Sequence, residues 1–230
     1  MLRVAIARVS MSSSPGAAHD AMPAWLGDAE RRRWATLPAP ARAGFAASRA
    51  LLRELLQQAT GIAAASWEVS ADAGTAPQAS AEGSARGVQV SLSHRLGWVA
   101  AAVADTGVGV DIEVDRPARS DPGERAALML APAELADWRV VPDTAREAAL
   151  LARWTAKEAW FKARPPQSAP WDFRRVHARA CAPAQANART WRAPPVHVTL
   201  ACADARALAD VGCAGLPPAA GEAFWHVDAL

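Results

Sequence analysis

Two acidic stretches carry side chains whose types and spacing suit chemistry on phosphates. The first is Val108-Gly-Val-Asp-Ile-Glu-Val-Asp115. Read as a strand, it alternates faces: Val108, Val110, Ile112 and Val114 point to a core, while Asp111 and Glu113, with Asp115 beyond, share the other face. Their like charges repel unless a cation or a base sits nearby. The pattern therefore reads either as a hard-cation site or as a solvated acidic strand face. The second is Trp154-Thr-Ala-Lys-Glu-Ala-Trp-Phe-Lys162. On a helix, Leu150, Leu151, Trp154 and Phe161 form an apolar stripe in which Glu158 is the misfit. Lys162 lies one turn further on. Glu158 then faces a metal or the lysine, or the two form an ordinary surface pair. Three carboxylates beside a lysine suit magnesium and a phosphate-bearing substrate, and so metal-assisted phosphoryl or pyrophosphate chemistry.

The elements that must position these residues can be read from pattern. The chain has 230 residues, enough for one large domain or two small ones. Residues 1–10 read as a first strand, with Arg8 breaking any signal-peptide character. Ser12 to Pro23 reads as a loop. A helix follows from Ala24 until Pro38 and Pro40 stop it, and a second runs from about Ala41 to Ala59 with Gly61 as its breaker. Ser70 to Gly87 reads as a loop. Val88–Ser93, Trp98–Ala104 and Val108–Val114 read as an antiparallel meander. Thr144 and Glu147 have capping-box spacing at the head of a helix ending at Pro165-Pro166. Short strands are expected at Val176–Ala180, Val196–Cys202 and Ala223–Val227. No fixed-period repeat is evident.

Composition narrows the class. The net charge is +2, and Arg31–Arg33 is the only dense basic run, so nucleic-acid binding is weakly supported. The three cysteines, Cys181, Cys202 and Cys213, form no CxxC pair, which fits a reducing compartment. No apolar run is long enough to span a bilayer. These features point to a cytoplasmic protein that engages neither membrane nor nucleic acid.

The ordered pair Gly109-Val-Asp-Ile-Glu113 and Trp154–Lys162 resembles the two signature motifs of the phosphopantetheinyl transferases. Ser91-Leu-Ser-His94 looks like the family's Ser-His element, and Ser48–Arg53 resembles its N-terminal helix. The resemblance spans residues 40 to 163, and the length matches the larger, surfactin-synthetase-activating type. It implies an α/β (α+β) fold of two pseudo-symmetric halves, 1–107 and 108–230, each with a small antiparallel sheet packed on helices, in a monomer. It implies transfer of 4′-phosphopantetheine from coenzyme A to a serine of an acyl or peptidyl carrier protein, of the holo-acyl-carrier-protein synthase type, with release of 3′,5′-ADP. Asp111, Glu113 and Glu158 would hold Mg²⁺, with Mn²⁺ an alternative. Glu158 would also take the serine proton, and Lys162 would contact phosphate oxygens. His94, with Ser93 beside it, and Arg53 and Arg49 would serve the nucleotide end. One departure stands out: Gly74-Thr-Ala-Pro77 places Ala76 where the family has lysine, with Arg86 a candidate substitute. His19, His177, His197 and His226 read as incidental, and nothing after Pro165 carries a motif. The competing readings are another Mg²⁺-dependent phosphotransferase or phosphohydrolase, disfavoured by the lack of a glycine-rich phosphate loop, and a non-catalytic homologue that only binds carrier proteins.

Overall fold

The computed structural model describes residues 1–9, 21–84, 87–115, 121–164, 172–217 and 220–229. Arg86, His19, most of the first loop and Pro165-Pro166 lie outside these. The elements in chain order are β1 (Leu2–Arg8), α1 (Asp28–Thr36), α2 (Ala39–Thr60), β2 (Glu68–Val69), β3 (Ala79–Ser80), β4 (Gln89–Arg95), β5 (Trp98–Ala104), β6 (Val108–Val114), α3 (Pro122–Met129), α4 (Pro132–Arg139), α5 (Asp143–Lys162), β7 (Val176–Ala180), β8 (Ala188–Ala193), β9 (Val196–Cys202), α6 (Ala205–Asp210), β10 (Cys213–Ala214) and β11 (Gly221–Ala229). This is a mixed α/β fold.

Apolar side chains dictate four layers. Ala100, Ala102 and Ala104 of β5 meet Val108, Val110 and Ile112 of β6 and Val198 and Leu200 of β9 in one core between two sheets. The opposite face of β5, Ala101 and Val103, packs on Leu52, Leu55 and Leu56 of α2. The outer face of the second sheet packs Ala201, Ala178 and Val227 against Ala156, Ala159 and Trp160 of α5. The continuous apolar run of β5 follows from this, because both its faces are covered.

The expected meander does not form. β4 and β5 make an antiparallel hairpin, but the first sheet runs β10-β1-β5-β4 and the second β6-β9-β8-β11-β7. After Asp105-Thr-Gly107 the chain leaves the first sheet, and β6 pairs with β9, Asp111 opposite Thr199 and Glu113 opposite His197. β4 and β6 are therefore the facing edges of different sheets. Serine side chains replace a backbone ladder there: Val110 N donates to Ser91 Oγ at 3.0 Å and Ile112 N to Ser93 Oγ at 3.4 Å. Two amides of the β6 edge are satisfied in this way without strand pairing.

Three local expectations also shift. α2 begins two residues before Ala41, because Pro40 is tolerated in a first turn. Thr144 is not the N-cap of α5; Pro142 is, and Glu147 is drawn away to Arg125 by two bonds of 2.9 and 2.8 Å. β8 has no clear alternation and was not anticipated; its Ala188–Trp191 are all buried.

The absence of a repeat is corrected as well. A single offset carries Glu30, Trp34, Pro38, Arg42, Arg49, Arg53 and Glu54 onto Glu134, Trp138, Pro142, Arg146, Arg153, Lys157 and Glu158. The contacts recur with the residues. Arg42 Nε donates to Leu37 O at 3.2 Å and lies over Trp34, while Arg146 Nε donates to Val141 O at 2.9 Å and lies over Trp138. The pairs α1–α2 and α4–α5 are one motif used twice. The intervening residues have diverged enough to hide the period.

What brings α5 onto β6 is the missing side chain at Gly109: a Cβ there would lie 1.9 Å from Ala159 O and 2.6 Å from Ala163 N. Gly109→Ala should therefore destabilise the protein by about 3 kcal/mol, since neither backbone can yield cheaply. Gly44→Ala, in α2 with nothing within 4 Å of the added carbon, should stabilise it by about 0.5–1 kcal/mol. Urea denaturation of the two variants checks both signs, and a neutral Gly109→Ala would refute the packing argument.

Candidate active site

Asp111 sits mid-strand on β6, on the face covered by α5, and is only 6 % exposed. Its Oδ1 accepts from Lys162 Nζ at 2.6 Å and from Ser93 Oγ at 2.9 Å. Its Oδ2 is buried and has no hydrogen-bond partner. Lys162 also reaches Ser93 Oγ and Val110 O, each at 3.3 Å. Its ammonium thus turns across to β6 rather than along α5 to Glu158, and the surface-pair alternative does not describe it.

Glu113, next on the same strand face, pairs with Arg95 of β4 at 2.9 Å. Glu158 is half-buried on the flank of α5. The helix's buried stripe is Leu150, Leu151, Thr155, Ala156, Ala159 and Trp160, rotated from the one expected, with Trp154 and Phe161 at its margin. Glu158 is therefore no misfit in an apolar face; it is an edge residue turned toward the acids of β6. Burial first, then the charges of Asp111 and Glu113, push its carboxyl above the ordinary range, with Lys162 pulling the other way. Among the described residues no three His, Cys, Asp or Glu side chains are arranged as a ready-made cation cage. An orphaned carboxylate oxygen beside mutually repelling acids nonetheless fits a divalent cation better than it fits any side chain present.

The nucleotide-side candidates divide. His94 and Ser93 are neighbours in sequence but face opposite ways: Ser93 joins the acidic site, and His94 is exposed on the wall of a cavity of about 280 Å³ with Arg33, Ser48, Arg49, Leu92 and Gly74. Desolvation lowers the pKa of the His94 ring, and Lys162, Arg49 and Arg95 lower it further. That ring of positive charge suits an anion. Arg49 lies over the Phe45 ring at 4.7 Å, with its buried Nε ion-paired to Glu30 at 3.4 Å but not hydrogen-bonded. Arg53 does not reach this cavity. It is 4 % exposed, and its fork is filled by Glu30 at 2.8 and 2.5 Å and by Trp67 O at 3.2 Å.

A second cavity of about 460 Å³ shares Gly74 and Leu92 with the first and is lined also by Ala76, Pro77, Phe161, Lys162 and Arg164. Arg164 lies over the Trp160 ring at 4.5 Å. Gly74 and Leu92 are thus a common wall between the cavity at His94 and the one at Lys162.

Sequence reasoning assigned no role to Lys157, which is fully buried and bonded to Glu134, to Met129 O at 2.9 Å and to Phe173 O at 3.1 Å. Its place in an exposed-looking motif gave no sign of this. His197 is also fully buried, its Nε2 2.8 Å from Asp115 Oδ1. The three cysteines are free thiols. No helix among the described residues is long and apolar enough to cross a membrane.

Residues 107–204, which contain β6, α5 and the acids between them, match the model of the 4′-phosphopantetheinyl transferase superfamily. The resemblance drawn from the two motifs is borne out. No curated protein matches the chain.

The raised pKa of Glu158 has a signed consequence. Below the ordinary carboxylate range the group is protonated in both folded and unfolded chains and contributes nothing. As pH rises through the folded value it ionises against its neighbours, and stability is lost. In EDTA, Glu158→Gln should raise Tm at pH 8 and leave it unchanged at pH 4. An unchanged or lower Tm at pH 8 would count against the crowding of these carboxylates.

Proposed function

We propose that this chain, whose residues 107–204 match the 4′-phosphopantetheinyl transferase superfamily model, moves the phosphopantetheine arm of coenzyme A onto a carrier-protein serine. The observation that carries the reading is the unpartnered, buried Asp111 Oδ2 beside Glu158 and Lys162, the last of which also lines the cavity that adjoins the one at His94. Asp111, Glu113 and Glu158 would hold Mg²⁺, which supplies charge neutralisation on a pyrophosphate.

The chain's own residues do the rest. His94 and Arg49 bind the phosphate-bearing nucleotide end in the smaller cavity. Leu92, Pro77 and Phe161 line the way to the reacting phosphates. The serine oxygen attacks the phosphorus that carries the pantetheine arm, and 3′,5′-ADP leaves. Glu158, held above the ordinary carboxylate range, is suited to accept the serine proton. Lys162, one face open to the cavity, donates to the phosphate oxygens as charge moves to the leaving group. Ala76 offers no cation in this cavity. Arg164, held over Trp160 on the same cavity wall, is placed to supply one.

Mass spectrometry of an apo carrier protein incubated with the chain, coenzyme A and Mg²⁺ should show the gain of one phosphopantetheine. Free phosphate or cleaved coenzyme A without that gain would favour hydrolysis, and an unchanged carrier would refute catalysis. Lys162→Met should lower kcat by about 10²–10³ and lower Tm as well, because it strands the buried Asp111 carboxylate, whereas a helix surface pair is worth only about 0.2–0.5 kcal/mol and would leave both nearly intact. Arg164→Gln should raise KM for coenzyme A with little change in kcat; an unchanged KM removes Arg164 from coenzyme A binding. If 3′-dephospho-coenzyme A serves as well as coenzyme A, His94 is not a phosphate ligand.

A further inference from the structure

Each half of the molecule contains one fully buried glutamate that clamps a buried base on the long helix. Glu30, in the first turn of α1, accepts from Gly27 N at 2.9 Å and from both ends of the Arg53 fork on α2. Glu134, in the first turn of α4, accepts from Ala131 N and from Ala178 N, each at 2.7 Å, and from Lys157 on α5. Each acid and its base are 23 residues apart. A buried pair of this kind adds little net stability over apolar side chains, but it fixes geometry strongly, because moving either member strands a charge.

What stands beside each clamp differs. Lys157 immediately precedes Glu158. With its three ammonium donors fixed on Glu134, Met129 O and Phe173 O, it stops α5 from rotating at that point. Its counterpart Arg53 precedes Glu54, which is exposed and bonded only along the helix to Gln58 at 3.2 Å. The first clamp acts elsewhere: Glu30 Oε1 lies 3.4 Å from Arg49 Nε, one turn before Arg53. Arg49 is the guanidinium that lines the cavity with His94.

We infer that the repeated clamp positions two different functions: Glu134–Lys157 sets the place of Glu158, and Glu30–Arg53 sets the place of Arg49. Arg53 and Lys157 are thus positioning residues that touch neither substrate nor metal, and the inference rests on the transferase reading above. It requires damage to the two clamps to appear in different constants.

The test exchanges the bases, Arg53→Lys and Lys157→Arg, so that each clamp keeps a paired positive charge. Coenzyme A affinity is read by calorimetry, and kcat and KM with a carrier protein. Lys157→Arg should lower kcat about ten-fold, since an ångström of misplacement is enough, with Kd for coenzyme A within two-fold of wild type (about 0.4 kcal/mol). Arg53→Lys should raise Kd and KM for coenzyme A by about ten-fold with kcat held to within about two-fold. Glu134→Asp and Glu30→Asp shorten the acid side of each clamp and should reproduce the same split if a base exchange fails to fold. Folded variants that lose only Tm, or that shift kcat and Kd alike, overturn the inference. A wild-type chain that binds coenzyme A but modifies no carrier overturns the transferase reading, and the Glu158 half of this inference with it.

Discussion

The approach of α5 to β6 at Gly109 governs the rest of the site. With a Cβ there, Ala159 O would stand at 1.9 Å, and helix and strand would have to part. The close approach that glycine permits places Lys162 against Asp111 and brings Glu158 beside the acids of β6. It also buries Asp111, which gives its unpartnered oxygen a cost that a solvated strand face would not have. Gly109 thus belongs to the chemistry through geometry alone.

The seam between the two sheets extends this constraint to β4. β4 and β6 present facing edges, and Ser91 and Ser93 satisfy the amides of Val110 and Ile112. Ser93 is at once an edge cap, a donor to Asp111 and an acceptor from Lys162. Because strand side chains alternate, the next residue, His94, must point the opposite way, into the cavity under α2. One strand therefore turns a serine to Asp111 and a histidine to the cavity.

The duplicated helix pair shows how one scaffold carries two tasks. Both copies keep the buried acid, the tryptophan under an arginine and the base on the long helix. Only the second copy turns the following glutamate toward carboxylates; in the first, Glu54 remains in solvent.

The sequence alone drew attention to three acids and a lysine. Asp111 and Glu113 share a strand face as alternation requires, whereas Glu158 stood out by an apolar stripe that α5 does not present; most elements were legible from apolar pattern and proline or glycine breaks. What it did not carry is which edges pair and which charges meet. The meander failed because strand pairing is set by what covers each sheet, and β6 finds its partner in β9, far along the chain. The fate of each cation was equally hidden. Lys157 is locked to Glu134, Arg53 to Glu30 and Lys162 to Asp111, although in sequence Lys157 carries no role and Arg53 and Lys162 read as substrate contacts. A buried charge takes the nearest partner in space, and only tertiary packing decides which that is.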